Sequence, residues 1–151
     1  MTATDAATPL DEAIRLAVEA HRGQVDKAGA PYILHPLRMM LTQPDDLRRI
    51  VAVLHDVVED RGITLDTLGA RFGMPVAEAV DALTKRADED YDAFIDRCAR
   101  NPIARDVKRA DIMDNLDLSR LPVVTERDEA RAAKYRRALA QLDAASASKP
   151  R

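Results

Sequence analysis

Residues 51–60, VAVLHDVVED, combine a run of aliphatic side chains with a cluster of polar ones. At about 100° per residue of an α-helix, the polar side chains fall within one arc of roughly 140°. These polar residues are His55, Asp56, Glu59 and Asp60. The aliphatic residues fill most of the remaining circle, namely Val51, Val53, Leu54, Val57 and Val58. The pattern predicts a buried helix around which the rest of the fold is organised.

Imidazoles and carboxylates are costly to bury unless they are paired or bound to a metal ion. His55 and Asp56 are adjacent, so one ion can bind both side chains. Glu59 and Asp60 follow one turn later, within reach of a water molecule bound to that ion. The alternative is an ordinary helix with a solvated acidic end. The stretch alone does not decide between them, and the choice depends on ligands elsewhere in the chain.

Composition limits the classes of function. A chain of 151 residues suits one domain with a real core, which must be mostly aliphatic because aromatic residues make up 3%. The net charge of −3 argues against general nucleic-acid binding. It leaves room for a locally basic pocket, and we therefore expect a small-molecule partner.

Location and domain bounds follow from the same sequence. The single Cys98 excludes an internal disulfide framework, and the first ten residues, MTATDAATPL, lack the apolar core of a signal peptide. No apolar run approaches the length of a membrane span. We expect a cytoplasmic protein without membrane contact, with one domain over residues 1–143. The small polar residues at 144–151 are expected to form a disordered tail.

Capping residues, prolines and glycines divide the chain into helices with short breaks, and no segment shows a convincing strand alternation. Thr8 with Asp11 marks the first helix start, and Thr125 with Asp128 marks the last. The other helices are expected to start near His35, Asp46, Leu65, Pro75, Tyr91 and Pro102. We expect the central helix to continue to Gly62 and the last to end at about Leu142. The predicted fold is an all-α bundle.

Two further segments offer ligands for a metal ion. His35 lies in PYILHP, between a loop and a helix, where a capping or surface histidine is the alternative. Asp111 lies in VKRADIMDN on a partly buried helix, with an ordinary surface acid as the alternative. Together with His55 and Asp56 they provide two imidazoles and two carboxylates, which suits Mn²⁺, Fe²⁺, Co²⁺ or Zn²⁺. Such an ion lowers the pKa of a bound water and neutralises phosphoryl charge.

Five motifs follow one another along the chain: AHRGQxxKxGxPYxxHP, LHDxxED, FG, LTK and VKxADxxDN. Together they resemble the HD-domain superfamily, and within it the hydrolase domain of the RelA/SpoT family and the small stand-alone alarmone hydrolases. The resemblance extends from about Ala20 to Leu116. It implies an all-α HD-domain bundle. It also implies hydrolysis without synthesis, because the chain ends before a synthetase domain would begin.

The resemblance also implies roles for individual residues. The metal ligands, usually for Mn²⁺, are His35, His55, Asp56 and Asp111. Glu59 and Asp60 match the acidic pair that orients and activates the attacking water. The residues implied at the substrate are Lys27, Tyr32, Asn115, Arg131 and Tyr135. For Arg131 and Tyr135 the alternatives are helix-surface charge and core packing.

Four positions depart from the pattern of the alarmone hydrolases. Asp26 stands where an arginine packs on the guanine base, so an anion replaces a stacking cation. Ile112 and Asp114 replace an arginine and a histidine, and Asp117 replaces another arginine. Basic groups that could compensate at a polyphosphate are Lys108, Arg109, Arg120 and Arg136.

The resemblance therefore favours a metal-dependent hydrolase that removes the 3′-pyrophosphate from a guanosine tetra- or pentaphosphate alarmone. One alternative is an HD phosphohydrolase that acts on another nucleotide or phosphoester. A second alternative is a catalytically inactive regulatory module that binds a nucleotide or a metal. The intact HDxxED motif argues against this module, because a sensor without turnover does not need the acidic pair.

Overall fold

The structure, a computed structural model, describes residues 6–58 and 62–147. Within these ranges it is all-α, as predicted, with no β-strand and a single isolated bridge between Val25 and Pro31. The helices are α1 Pro9–Ala20, α2 Leu34–Leu41, α3 Asp46–Leu54, α4 Leu65–Phe72, α5 Met74–Ala82, α6 Tyr91–Ala99, α7 Pro102–Asn115 and α8 Glu126–Ala147. A short 3₁₀ turn, Leu118–Arg120, connects α7 to α8.

The helix starts lie where local side-chain chemistry predicts them. The Thr8 hydroxyl accepts from the backbone N–H of Asp11, whose carboxylate accepts from the Thr8 N–H in return. Thr64 caps α4 through the N–H of Thr67, and Asp90 caps α6 in the same way. Each cap satisfies donors that the first helical turn leaves without an intrahelical partner. These starts are therefore readable from a few neighbouring residues.

Helix α3 occupies the centre of the fold and packs against α1, α2, α5 and α7. Its last four residues, Val51 to Leu54, are completely buried. The last turn of α3 is apolar on every side and therefore requires neighbours on every side, which this arrangement provides. His55 and Asp56, which follow α3, consequently emerge toward the interior of the bundle rather than at its outer surface.

The prediction that the central helix continues to Gly62 is wrong. Helix α3 ends at Leu54, His55 and Asp56 form a turn, and Val57 and Val58 are helical again. Nδ1 of His55 lies 2.7 Å from the carbonyl oxygen of Ala52 and donates to it. In a continuous helix that oxygen would accept from the backbone N–H of Asp56. The imidazole therefore competes with the helical hydrogen bond at the point where the helix ends.

The last helix extends beyond its predicted end at about Leu142 and continues to Ala147. The predicted tail, 144–151, thus begins inside α8, where Ala145 packs against the core and alanines favour the helix. Residues 148–151 lie outside the described part. Among the described helices, none combines the length and low charge that a bilayer span requires.

Candidate active site

Three ligand atoms converge in the interior from three separate elements. They belong to His35 on α2, His55 in the turn after α3 and Asp111 on α7, and all lie within 4.8 Å of one another. All three residues are buried. Because α2 and α7 both pack against α3, the packing of the bundle itself produces this convergence. The structure thus brings three of the four predicted metal ligands into one cluster.

Asp56, the fourth predicted ligand, borders this cluster. Its Oδ2 lies 3.1 Å from Nε2 of His55 and also accepts a hydrogen bond from the Tyr32 hydroxyl. Burial would raise the pKa of Asp56, but the neighbouring His55 and the hydroxyl of Tyr32 lower it to about 2. The carboxylate is therefore ionised and adjoins one of the two imidazoles.

Both imidazoles present the same nitrogen to the cluster. Nδ1 of His55 is engaged by the carbonyl of Ala52, and Nδ1 of His35 lies 2.7 Å from Oδ2 of Asp114. Their Nε2 atoms face carboxylates, at 3.0 Å between His35 and Oδ1 of Asp111. A neutral histidine binds a metal through the nitrogen that carries no proton. The hydrogen bonds at Nδ1 therefore leave Nε2 of each ring to the cluster.

The electrostatics of the cluster are those of a cation site. Burial lowers the pKa of His35, but its contacts with Asp111 and Asp114 raise it to about 9. Burial likewise opposes ionisation of Asp111, yet Lys108 and both imidazoles hold its pKa well below the usual range. The site thus favours positive charge between buried carboxylates. Two imidazole nitrogens and two carboxylate oxygens fit a divalent first-row metal ion, which His35, His55, Asp56 and Asp111 could hold.

Asp111 is held from two further sides. Lys108 Nζ lies 2.8 Å from its Oδ2, and the amide of Asn115 donates to its Oδ1 at 3.0 Å. Asn115 was predicted to contact the substrate. It lies one turn after Asp111 on α7, lines the cavity and also orients the carboxylate.

A cavity of about 530 Å³ opens over the cluster. All of the residues predicted at the substrate line it: Lys27, Tyr32, Asn115, Arg131 and Tyr135. Lys27 Nζ lies 3.8 Å and an Arg131 nitrogen 3.9 Å from the same oxygen of Asp128. The loop before α2 and the start of α8 therefore meet at one wall of the cavity. The substrate roles of these residues remain predictions.

The four departing residues have distinct surroundings. Oδ1 of Asp26 accepts from the backbone N–H groups of Ala28 and Ala30, so its side chain folds its own loop. Ile112 is completely buried in the core. Asp117 accepts from the backbone N–H of Ser119 and pairs with Arg120, whereas Asp114 binds His35.

Of the four basic residues considered as compensation, Arg120 lines the cavity. Lys108 is turned toward Asp111, and Arg109 pairs with Asp143 of α8. Arg136 is exposed and is not among the residues that line the cavity. Of these four residues, Arg120 is therefore the one placed to contact a ligand in the cavity.

One cavity residue, Arg38, was missed by the sequence analysis. It lies one turn after His35 on α2 and binds Asp114 through two nitrogens, at 2.7 and 2.9 Å. The i, i+3 spacing from a predicted ligand is a signal that could have identified it. The predicted catalytic pair, Glu59 and Asp60, lies outside the described residues.

Comparisons with known proteins concern the family and the fold of the chain. A family model for the HD domain matches residues 13–145. A guanosine-3′,5′-bis(diphosphate) 3′-pyrophosphohydrolase of Vibrio cholerae is 42% identical over 85 residues, covering 51% of this chain and 12% of that protein. A protein of the same name from Aquifex aeolicus is 34% identical over 122 residues, covering 73% of this chain and 18% of that protein.

A solved structure has a similar fold, with a TM-score of 0.73 and 23% sequence identity. It is described as a metazoan ortholog of SpoT that hydrolyses ppGpp, and the match covers 93% of this chain and 88% of that one. The curated relatives are much longer. The chain matches less than a fifth of the length of either one.

Proposed function

The chain belongs to the HD-domain family, and from that premise we propose that it is a metal-dependent 3′-pyrophosphohydrolase of guanosine tetra- and pentaphosphate alarmones. The observation that supports this most directly is the convergence of His35, His55 and Asp111 beneath a cavity of nucleotide size. The names of the curated relatives supply the substrate class.

The reaction transfers a pyrophosphoryl group from the 3′ oxygen to water. Water attacks the phosphorus attached to the 3′ oxygen, and the bond between this phosphorus and the 3′ oxygen breaks. The products are pyrophosphate and a 3′-hydroxyl. A divalent cation, which we propose to be Mn²⁺, supplies charge neutralisation at phosphorus and acidifies the attacking water. His35, His55, Asp56 and Asp111 would hold this ion. Three of these residues, His35, His55 and Asp111, are buried, and the side chain of Asp56 is 18% exposed at the cavity.

The acid–base work falls to Glu59 and Asp60 in this proposal. One of these carboxylates takes the proton of the attacking water, and the leaving 3′ oxygen must gain a proton. A positioned general base or acid typically contributes about 10²–10⁴-fold in rate. The motif HDxxED supports this assignment, which rests on the resemblance to the alarmone hydrolases.

Basic side chains around the cavity suit a phosphorylated ligand. Arg38 and Arg120 contact Asp114 beside the cluster, and Lys27 and Arg131 line the same cavity beside Asp128. Each is paired with a carboxylate, so phosphates bind here in competition with Asp114, Asp117 and Asp128. A nucleotide as substrate also agrees with the cytoplasmic location predicted from the sequence.

A second candidate is hydrolysis of another nucleotide or phosphoester. The observation that favours it is Asp26, whose carboxylate is bonded to its own loop at the position of the base-stacking arginine. Recognition of guanine would then have to come from other residues. A nucleotide-binding module without turnover is the remaining alternative.

The test is hydrolysis of guanosine tetraphosphate by the purified chain with Mn²⁺, following release of pyrophosphate and formation of guanosine diphosphate. A panel of other nucleotides is assayed in parallel, and Asp111→Ala serves as the control for contaminating activity. Turnover of the tetraphosphate that disappears in the variant supports the proposal. Turnover of another nucleotide alone supports the second candidate, and binding without turnover supports the inactive module.

A further inference from the structure

Asp114 lies one turn after Asp111 on α7 and contacts the other side of the same imidazole. Its Oδ2 is 2.7 Å from Nδ1 of His35, while Oδ1 of Asp111 is 3.0 Å from Nε2. We propose that Asp114 is the positioning residue of His35, holding the ring so that Nε2 is the nitrogen offered to the metal ion. The inference rests on the proposed function, because it takes His35 to be a ligand.

The chemistry of imidazole explains why such a residue is needed. A neutral ring carries its proton on either nitrogen, and only the other nitrogen can bind a cation. A carboxylate that accepts from Nδ1–H keeps the proton there, fixes the plane of the ring and makes Nε2 a stronger ligand. Asp114 is placed to do this, since its side chain is only 11% exposed and directed at the ring.

Asp114 is itself held rigidly. Nε of Arg38 donates to its Oδ1 at 2.7 Å, and the second nitrogen donates to Oδ2 at 2.9 Å. Arg120 donates to the backbone carbonyl of Asp114 at 2.8 Å. A bidentate guanidinium fixes the plane of a carboxylate as well as its position. The orientation of His35 is thus fixed by a carboxylate on α7, which an arginine on α2 holds in place.

The imidazoles of His35 and His55 differ in the kind of group that accepts from Nδ1. His55 donates from Nδ1 to the main-chain carbonyl of Ala52, which no substitution removes. His35 depends on a side chain instead. Asp114 occupies a position where the alarmone hydrolases carry a histidine, so the family motif assigns it no such role. His35 is therefore the ligand whose orientation a single substitution can change.

A purely structural role is the competing explanation, because Asp114 also joins α2 to α7 through Arg38. The variants Asp114→Ala, Asp114→Asn and Arg38→Gln separate the two. Asp114→Ala removes the acceptor at Nδ1, whereas Asp114→Asn retains an oxygen acceptor there. Arg38→Gln breaks the ion pair between the helices and leaves the contact between Asp114 and His35. Asp106→Asn is the matched control, since Asp106 joins α7 to another helix, α3, through Arg48 and is not among the residues that line the cavity.

The first measurement is Mn²⁺ affinity by titration calorimetry, with folding of each variant checked by circular dichroism. Loss of a carboxylate that supports a metal-binding histidine typically lowers metal affinity about 10–100-fold. We expect a loss in that range for Asp114→Ala and substantial recovery in Asp114→Asn. Asp106→Asn should bind Mn²⁺ as the wild type does, and Arg38→Gln should lose less affinity than Asp114→Ala.

The second measurement is the nitrogen NMR spectrum of His35 in the wild type loaded with diamagnetic Zn²⁺, assigned with His35→Gln. A proton on Nδ1 that exchanges slowly, with Zn²⁺ on Nε2, is the expected result, and it does not require any variant to fold. Zn²⁺ on Nδ1, or wild-type Mn²⁺ affinity in Asp114→Ala, would overturn the proposal. A loss of Mn²⁺ affinity in Arg38→Gln equal to that in Asp114→Ala would also overturn it. Metal binding without alarmone hydrolysis would overturn the proposed function and leave this inference standing, whereas a wild type that binds neither ion would overturn both.

Discussion

Lys108 Nζ lies 2.8 Å from Oδ2 of Asp111, and only 12% and 11% of the two side chains are exposed. The same ammonium lies 5.0 Å from the centre of the Phe94 ring. Burial lowers the pKa of Lys108, but the neighbouring Asp111 raises it above its usual range. The carboxylate that faces both imidazoles is therefore also one partner of an enclosed ion pair. This pairing lets Asp111 remain ionised in the core.

Replacement of Lys108 by methionine should destabilise the protein strongly. The substitution keeps most of the side-chain volume but removes the lysine partner of a buried carboxylate, and breaking a buried ion pair in this way typically costs about 3–5 kcal/mol. The measurement is urea unfolding with chelator present. Lys134→Met is the control, because Lys134 is exposed and lies over the Tyr91 ring, where such a contact contributes about 0.5–1 kcal/mol.

Added Mn²⁺ should recover part of the stability lost in Lys108→Met, because a cation near Asp111 replaces the missing positive charge. A ligand that binds only the native state stabilises it by about 2.7 kcal/mol at a hundredfold excess over its Kd. If Lys108→Met lowers the free energy of unfolding no more than Lys134→Met does, the ion pair between Lys108 and Asp111 does not stabilise the protein as proposed.

Ligands and catalytic residues should separate by mutation. Asp111→Ala removes a proposed ligand, so both Mn²⁺ affinity and turnover should fall. Glu59→Gln retains every proposed ligand, so the ion should stay bound while the rate falls about 10²–10⁴-fold. Metal content and kcat are measured on both variants. Loss of the ion in Glu59→Gln together with its retention in Asp111→Ala would reverse the roles.

The sequence predicted the helix starts well because capping is local. Thr8 and Thr125 each accept from a backbone N–H three residues away, so spacing alone identifies them. The end of α3 was not predictable in this way. It coincides with a bond from the side chain of His55 to the carbonyl of Ala52, and apolar periodicity carries no signal for it.

The cluster of His35, His55 and Asp111 was predictable as a set through the resemblance to the HD domain, since the residues alone left surface roles open for His35 and Asp111. The neighbours of that set were not. Asp114 was interpreted only as a lost basic group, since its contact with His35 exists only when α2 packs against α7. Lys108 was considered a phosphate ligand, whereas in the structure it is directed at Asp111. Both results depend on tertiary packing rather than on spacing.

Stability should decline at acidic pH partly through Glu89. Arg97 donates to both of its carboxylate oxygens, at 2.7 and 2.9 Å, and Arg86 donates a backbone N–H. The hydrogen bonds from Arg97, with the one from Arg86, lower the pKa of Glu89 from the usual 4.5 to about 2. The unfolded chain therefore takes up this proton first as the pH falls. The contribution of Glu89 is complete above pH 4.5 and is lost between there and about pH 2.

The check is the pH dependence of urea unfolding in wild type and Glu89→Gln. The difference in unfolding free energy between the two proteins should be largest near neutrality and should shrink as the pH falls through this window. Asp88→Asn, an exposed acid of the same segment, serves as the control. A constant difference between wild type and Glu89→Gln down to about pH 3 would contradict the lowered pKa.

Restoring an arginine at position 26 should impair the protein rather than improve it. Oδ1 of Asp26 accepts from the N–H groups of Ala28 and Ala30, both at 2.9 Å. Arginine cannot accept these bonds, each of which contributes about 0.5–1.5 kcal/mol. Asparagine can, because its carbonyl oxygen occupies the same place. The loop carries Lys27 and leads to Tyr32, and both residues line the cavity. Disruption of the loop should therefore weaken substrate binding and raise KM. We therefore expect Asp26→Arg to lower kcat/KM for guanosine tetraphosphate and Asp26→Asn to stay near the wild type.

An increase in kcat/KM in Asp26→Arg would show that the cavity is built for a stacking arginine and tolerates a rearranged loop. If none of the three proteins hydrolyses the tetraphosphate while any one cleaves another nucleotide, the alarmone assignment fails and the broader phosphohydrolase remains.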